Sequence, residues 1–164
     1  MMNLQKITTF TAVMTIVVLI ASCTSEEVKN LDETLFEEST ATGLTYYRNG
    51  EVLEGKSPSP HGSFKLAFND IAAGALNSEG ELDEGGSFPT GSLIVKEIMT
   101  GGELSLIASM KKDASNDQSA EGWIWGEYNP DGSVAYSVSK KGKACTGCHG
   151  GDPNRDLTRT FDLH

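Results

Sequence analysis

Three cysteines, three histidines and five prolines in 164 residues leave few routes to a disulfide scaffold or a multi-ligand metal cage. Aromatic residues make up only 7% of the chain. Positive charge is also scarce, with 13 Lys and Arg against 23 Asp and Glu, a formal net charge of −10. That balance argues against a nucleic-acid partner and against binding to anionic lipid by charge. It suits a soluble domain with a solvated acidic surface. Apolar runs are short as well. The longest, Phe10 to Ala21, falls below the length of a stable membrane span.

That run has another reading. With Lys6 before it, it has the form of a signal peptide core. It ends in Leu19-Ile20-Ala21-Ser22-Cys23, which looks like a bacterial lipobox. The resemblance implies cleavage before Cys23 and acylation of that cysteine, a lipid anchor that several acyl chains would make stable. The expected plan is a signal peptide over 1–22, an acidic tether over 23–54 with a short helix near Leu31 to Glu38, and one domain over 55–164. The expected location is the bacterial cell envelope, lipid-anchored in the membrane and facing the periplasm or the outside.

The other two cysteines sit in Lys143-Ala144-Cys145-Thr146-Gly147-Cys148-His149-Gly150. Cys-x-x-Cys-His is the signature of covalent haem c attachment. Two thiols at this spacing can add to the two vinyl groups on one porphyrin edge. The next residue is then held under the iron as an axial ligand. Half of a zinc site, a redox dithiol and a plain disulfide stay open as alternatives, although a structural zinc site wants four closed ligands. The haem reading means one haem c and its iron per chain, bonded to Cys145 and Cys148 with His149 axial.

Upstream of the motif the patterning is β. Phe64 to Phe68 alternates as a strand, and Asn69 or Asp70 then caps a short helix over 71–76. Ser92 to Met99 and Glu103 to Met110 flank the hairpin turn Gly101-Gly102. Leu104, Leu106, Ala108 and Met110 share one face of the return strand. Trp123 to Tyr128 and Ser133 to Ser139 flank the turn Asn129-Pro130-Asp131-Gly132. The expected fold is mainly β, an antiparallel sheet with a few short helices carrying a single haem c domain. The motif lies near the C-terminus with no methionine after it, unlike the order in ordinary small electron-transfer cytochromes.

These features resemble the cytochrome P-460 family, with its cytochrome c′-β relatives. The matching stretches are Pro60-His61-Gly62, Phe68-Asn69-Asp70-Ile71-Ala72, Phe88 to Glu97, Gly122-Trp123 and Cys145 to His149. The resemblance implies a β-rich fold of the cytochrome P-460 type, a proximal histidine, an open or weakly filled distal side and a homodimer. It implies binding or oxidation of hydroxylamine or nitric oxide, with carbon monoxide as a further ligand. A redox partner protein would follow from such chemistry. The two branches differ. One bears a lysine bonded to the porphyrin and is an oxidoreductase; the other caps the iron with apolar rings and binds gases. An electron-transfer cytochrome is the remaining alternative.

Candidates follow for each role. Lys96, on an otherwise apolar strand, is the first candidate for a haem cross-link, with Lys65, Lys111 and Lys112 behind it. Glu97, Glu121 and Glu127 are candidate distal bases, since oxidising hydroxylamine releases protons. Phe64, Phe68 and Phe88 are candidate distal caps. Met99, Met110, His61 and His164 are the residues available as a sixth ligand for an electron carrier. Arg155 and Arg159 suit haem propionates.

Overall fold

The computed structural model describes residues 8–57, 59–151 and 155–162, with side chains described from Thr24 onward. Cys23's side chain, Pro58 and His164 lie outside the described residues. The architecture is an antiparallel sheet with a long helix on one face and short helical pieces on the other and at its ends. Helix α1 spans Thr8–Ser39. The strands are β1 (Thr45–Tyr46), β2 (Leu53–Glu54), β3 (Ser63–Phe68), β4 (Leu93–Thr100), β5 (Glu103–Lys112), β6 (Trp123–Tyr128) and β7 (Val134–Tyr136). They order as β1-β3-β4-β5-β6-β7, with β2 also paired to β3. The expected mainly β fold is the observed one.

Alternation along the strands sorts the apolar residues onto two faces. On β4, Ile94 and Ile98 turn to one core, with Phe64, Leu66, Met110, Trp123 and Trp125. Leu93 and Val95 turn to the other, with Ala67, Ile107, Ile124 and Tyr128. A register shift between Ile98 and Met99 marks a bulge at the hairpin end of β4. Helix α2 (Asp70–Ala73) is shorter than expected, and its cap is Asn69, whose side chain accepts from the Ala72 N–H at 3.0 Å. Asn69 also accepts from Leu93 N–H and donates to the Gly91 carbonyl, which ties β3 to the start of β4.

The acidic segment expected to be a tether is seated on the sheet. Leu35 is 1% exposed in the second core, with Val28, Leu31 and Phe36 packed around it. Asp32 is only 5% exposed. Its carboxylate accepts from the Ser137 hydroxyl at 2.7 Å, the Val138 N–H at 3.0 Å and the Tyr128 hydroxyl at 3.3 Å. Burial, and next the Asp32 charge, push the Tyr128 phenol well above its ordinary pKa. Ser39 adds a buried bond to Ser109 at 2.7 Å. Three ties and an apolar stripe offset the cost of burying one carboxylate. Strands β1 and β2 also fall before residue 55, so the folded body begins earlier than the expected boundary. Among the described residues no helix is long and apolar enough to cross a membrane.

Candidate functional site: the cavity beneath the Cys-x-x-Cys-His motif

The first face of the sheet opens into a cavity of about 630 Å³. Its wall is made by β4, β5 and β6 on one side and by residues 144–149 and 158–160 on the other. Short helix α3 (Thr146–His149) brings Cys145, Cys148 and His149 together on that wall. The chain reaches it from β7 through a 3-10 turn at Val138–Lys140, the turn Asp32 holds. Gly142, at φ +59, then passes so close to Trp125 that a Cβ would sit 2.4 Å from the ring. A side chain there would push the motif off β6.

His149 is fixed on two sides. Trp125 meets it edge-on at 5.0 Å between ring centroids. Its Nδ1 lies 2.7 Å from the Leu157 carbonyl, which can only accept, so Nδ1 carries the proton and Nε2 keeps its lone pair. Burial lowers the pKa of His149, which keeps the ring neutral, the form that binds a metal. The motif cysteines are not joined to each other in a disulfide. Burial pushes the Cys145 thiol up to about 11, with smaller pushes from Glu127 and Cys148. An activated redox dithiol needs the opposite shift. Among the described residues no three His, Cys, Asp or Glu side chains gather where they could hold a metal ion. Two thiols at the edge of a largely apolar cavity, with one imidazole nitrogen available, fit a porphyrin.

One cross-strand row crosses the opposite wall. Leu66 pairs with Lys96, Lys96 with Ala108, Ala108 with Glu127 and Glu127 with Tyr136. Lys96 and Glu127 therefore face the cavity, separated by a single alanine. The Lys96 ammonium lies 4.2 Å from the Phe64 ring centroid, and burial pulls its pKa down to about 8. Burial raises the pKa of Glu127. His61 and Met110 also line the cavity. Burial, followed by the Lys96 charge, lowers the His61 pKa to about 4, so its imidazole is neutral.

The other candidates lie elsewhere. Glu97 accepts from the Tyr46 hydroxyl at 2.6 Å at an exposed site, and Glu121 is exposed. Phe64 packs behind Lys96, Phe68 stacks on Phe161 and Phe88 meets Trp123 edge-on, all within the core. Lys65 pairs with Glu97 across β3 and β4, on the opposite face from Leu66. Lys111 is paired with Glu38 and Lys112 with Asp156, each at 2.6 Å. Met99 is not on the cavity wall. Arg159 is on it, whereas Arg155 is held by Glu81, Asp162 and the Leu82 carbonyl. Trp125 and Tyr136 line the wall without having been singled out in the sequence. Odd-numbered alternation along β6 with Glu127 is the signal for Trp125.

A mainly β domain that sets a Cys-x-x-Cys-His motif into the wall of such a cavity belongs to the class of mono-haem c-type cytochromes. Residues 45–160 match the family model for cytochrome P460. The chain belongs to the cytochrome P460 family, a haem c-binding family whose members bind small molecules at the haem. No curated protein matches it in sequence.

Proposed function

We propose that this cytochrome binds and oxidises small nitrogen compounds, hydroxylamine or nitric oxide, at a haem iron whose distal side is open. Cys145 and Cys148 would carry the porphyrin as thioethers, and His149 Nε2 would be the proximal ligand. The haem supplies one-electron redox chemistry at an open coordination position when bound. The observation that carries the reading is the pair Lys96 and Glu127 in the same cavity as the motif. Glu127, with its raised pKa, accepts protons that substrate oxidation releases. Lys96, with a pKa of about 8, holds an appreciable share of free amine near neutral pH, the form able to bond to the porphyrin edge. Arg159 would pair with a propionate.

The address of the protein is part of the same reading. Export, cleavage before Cys23 and acylation would hold the domain at the cell envelope, where haem c attachment and a redox partner protein are available. A second copy of the chain as partner follows from the family resemblance.

The test is the optical spectrum of the chain matured in a host that attaches haem c, reduced, with and without carbon monoxide. The reading expects a reduced band far to the red of ordinary haem c, uptake of carbon monoxide and turnover of hydroxylamine. An ordinary high-spin spectrum that shifts with carbon monoxide, without turnover, leaves a gas-binding cytochrome. A second reading has its own observation: the neutral His61 imidazole lines the cavity and could fill the sixth position of an electron carrier. That reading requires a low-spin spectrum unmoved by carbon monoxide.

A further inference from the structure

We propose that Asp156 is a positioning residue for His149, acting through the Leu157 carbonyl. The inference rests on the axial role proposed for His149. Residues Arg155 to Thr158 close a tight turn, with the Thr158 N–H donating to the Arg155 carbonyl at 2.9 Å. Its two central residues, Asp156 and Leu157, both have positive φ, 52° and 67°. That is the pattern of a type I′ turn, which favours Asn-Gly or Asp-Gly. Aspartate suits the first position. Leucine at the second is strained, because its Cβ crowds the backbone in the left-handed region.

Strain of this kind persists where the surroundings over-determine it, and it gathers at functional sites. Here the turn is pinned on both flanks. The Asp156 carboxylate accepts from Lys112 Nζ at 2.6 Å, the Phe88 N–H at 2.8 Å, the Ser87 hydroxyl at 3.1 Å and Trp123 Nε1 at 3.4 Å. The Lys112 and Asp156 side chains are 15% and 12% exposed, so their attraction is weakly screened. On the other flank the Arg155 guanidinium is held by Glu81, Asp162 and the Leu82 carbonyl. The strained residue presents its carbonyl to His149 Nδ1 at 2.7 Å.

A firm bond at Nδ1–H makes Nε2 a stronger donor to a metal and fixes the plane of the ring. Stronger donation favours the oxidised iron. Asp156 therefore helps set the reduction potential and the strength of the iron–histidine bond, from a carboxylate that touches neither haem nor ligand.

The experiment uses the mature chain with haem attached, unaltered and as Asp156→Asn, Asp156→Ala and Lys112→Met. The readouts are the ferrous iron–histidine stretching band in resonance Raman and the reduction potential. All three variants should keep one haem per chain, move the stretch to lower frequency and raise the potential, with Asp156→Ala moving furthest. Should Asp156→Ala fail to fold, Asp156→Asn and Lys112→Met decide. A band and a potential unmoved in the folded variants would overturn the positioning role alone. Where the unaltered ferrous protein is six-coordinate and shows no such band, the reduction potential alone decides. An iron–histidine band retained in His149→Ala would overturn the axial reading of His149, and this inference with it.

Discussion

Lys96 and Glu127 face one cavity from strands that are not neighbours, joined in a single cross-strand row through Ala108. Two strand spacings set their Cα atoms roughly 9.5 Å apart. Alanine between them leaves room on the wall, where a larger residue would fill the space that both side chains border. Opposite charges at that distance do not meet directly, and each keeps the pKa shift that burial imposes: down for the lysine, up for the glutamate.

Lys96→Met tests the lysine. The variant should attach haem at unaltered stoichiometry and lose the red-shifted reduced band, giving an ordinary haem c spectrum. Replacing a ring hydrogen by the amine releases two electrons and two protons. In the unaltered chain the band should therefore grow in when a two-electron oxidant such as a peroxide is added, and faster as pH rises through about 8, where the free amine fraction increases. Time-resolved spectra after haem loading at several pH values check this. A red-shifted band that survives in Lys96→Met would remove Lys96 from the role.

Glu127 gives a pH dependence of stability with a defined sign. Burial raises its pKa in the folded state. Between the ordinary carboxylate range and that raised value, the folded chain holds a proton that the unfolded chain has lost. Stability therefore falls as pH rises through this window. Glu127→Gln should remove that part of the slope in thermal melts taken from the ordinary carboxylate range upward and be slightly more stable at neutral pH, the gain being small because the carboxylate is partly solvated. Hydroxylamine oxidation should drop by about 10²–10⁴-fold, the usual loss of a general base. Unchanged turnover would show that protons leave by another route.

The strands were legible because period-2 alternation and glycine turns carry most of the information about an antiparallel sheet. The haem motif was legible because its spacing has one dominant chemistry. The same alternation put Lys96 on the face of Ile94 and Ile98, which is the face that borders the cavity. The helix on the outer face was harder to see. Six acidic residues between Glu26 and Glu38 suggest a solvated tether. The contrary signal is Val28, Leu31 and Leu35, spaced for one helical stripe, and these residues pack on the sheet. Asp156 was not legible at all. Its role depends on four partners between Ser87 and Trp123, which only the fold brings together.

The two thiols should be separable by single substitutions. Cys145→Ser or Cys148→Ser leaves one vinyl group unreacted and conjugated with the ring. Each variant matured with haem should therefore show its pyridine haemochrome band at longer wavelength than the unaltered chain, and Cys145→Ser/Cys148→Ser should release its haem into acidified organic solvent only when Lys96→Met is added. Haem retained by the double variant under those conditions would require another covalent bond, for which Lys96 is the candidate on the cavity wall.

The outer helix supplies the sharpest contrast between stability and site. Leu35 is 1% exposed and packs in the core on the face of the sheet away from the cavity. It also lies outside residues 45–160, which match the family model. Leu35→Ala should cost about 2–5 kcal/mol, the usual range for a leucine truncated in a packed core. The reduced spectrum and carbon monoxide uptake of the folded variant should be unchanged, because no atom of Leu35 borders the cavity. Asp32→Ala should behave differently. It removes the acceptor for Ser137, Val138 and Tyr128 and leaves buried donors without it, at a cost of about 1–3 kcal/mol. Because Val138 opens the turn that leads into the motif, Asp32→Ala should also lower the yield of attached haem at equal protein expression. Equal haem yield in both variants, measured by haem stain against total protein, would mean that the motif is held by the cavity wall alone, without help from the helix behind the sheet.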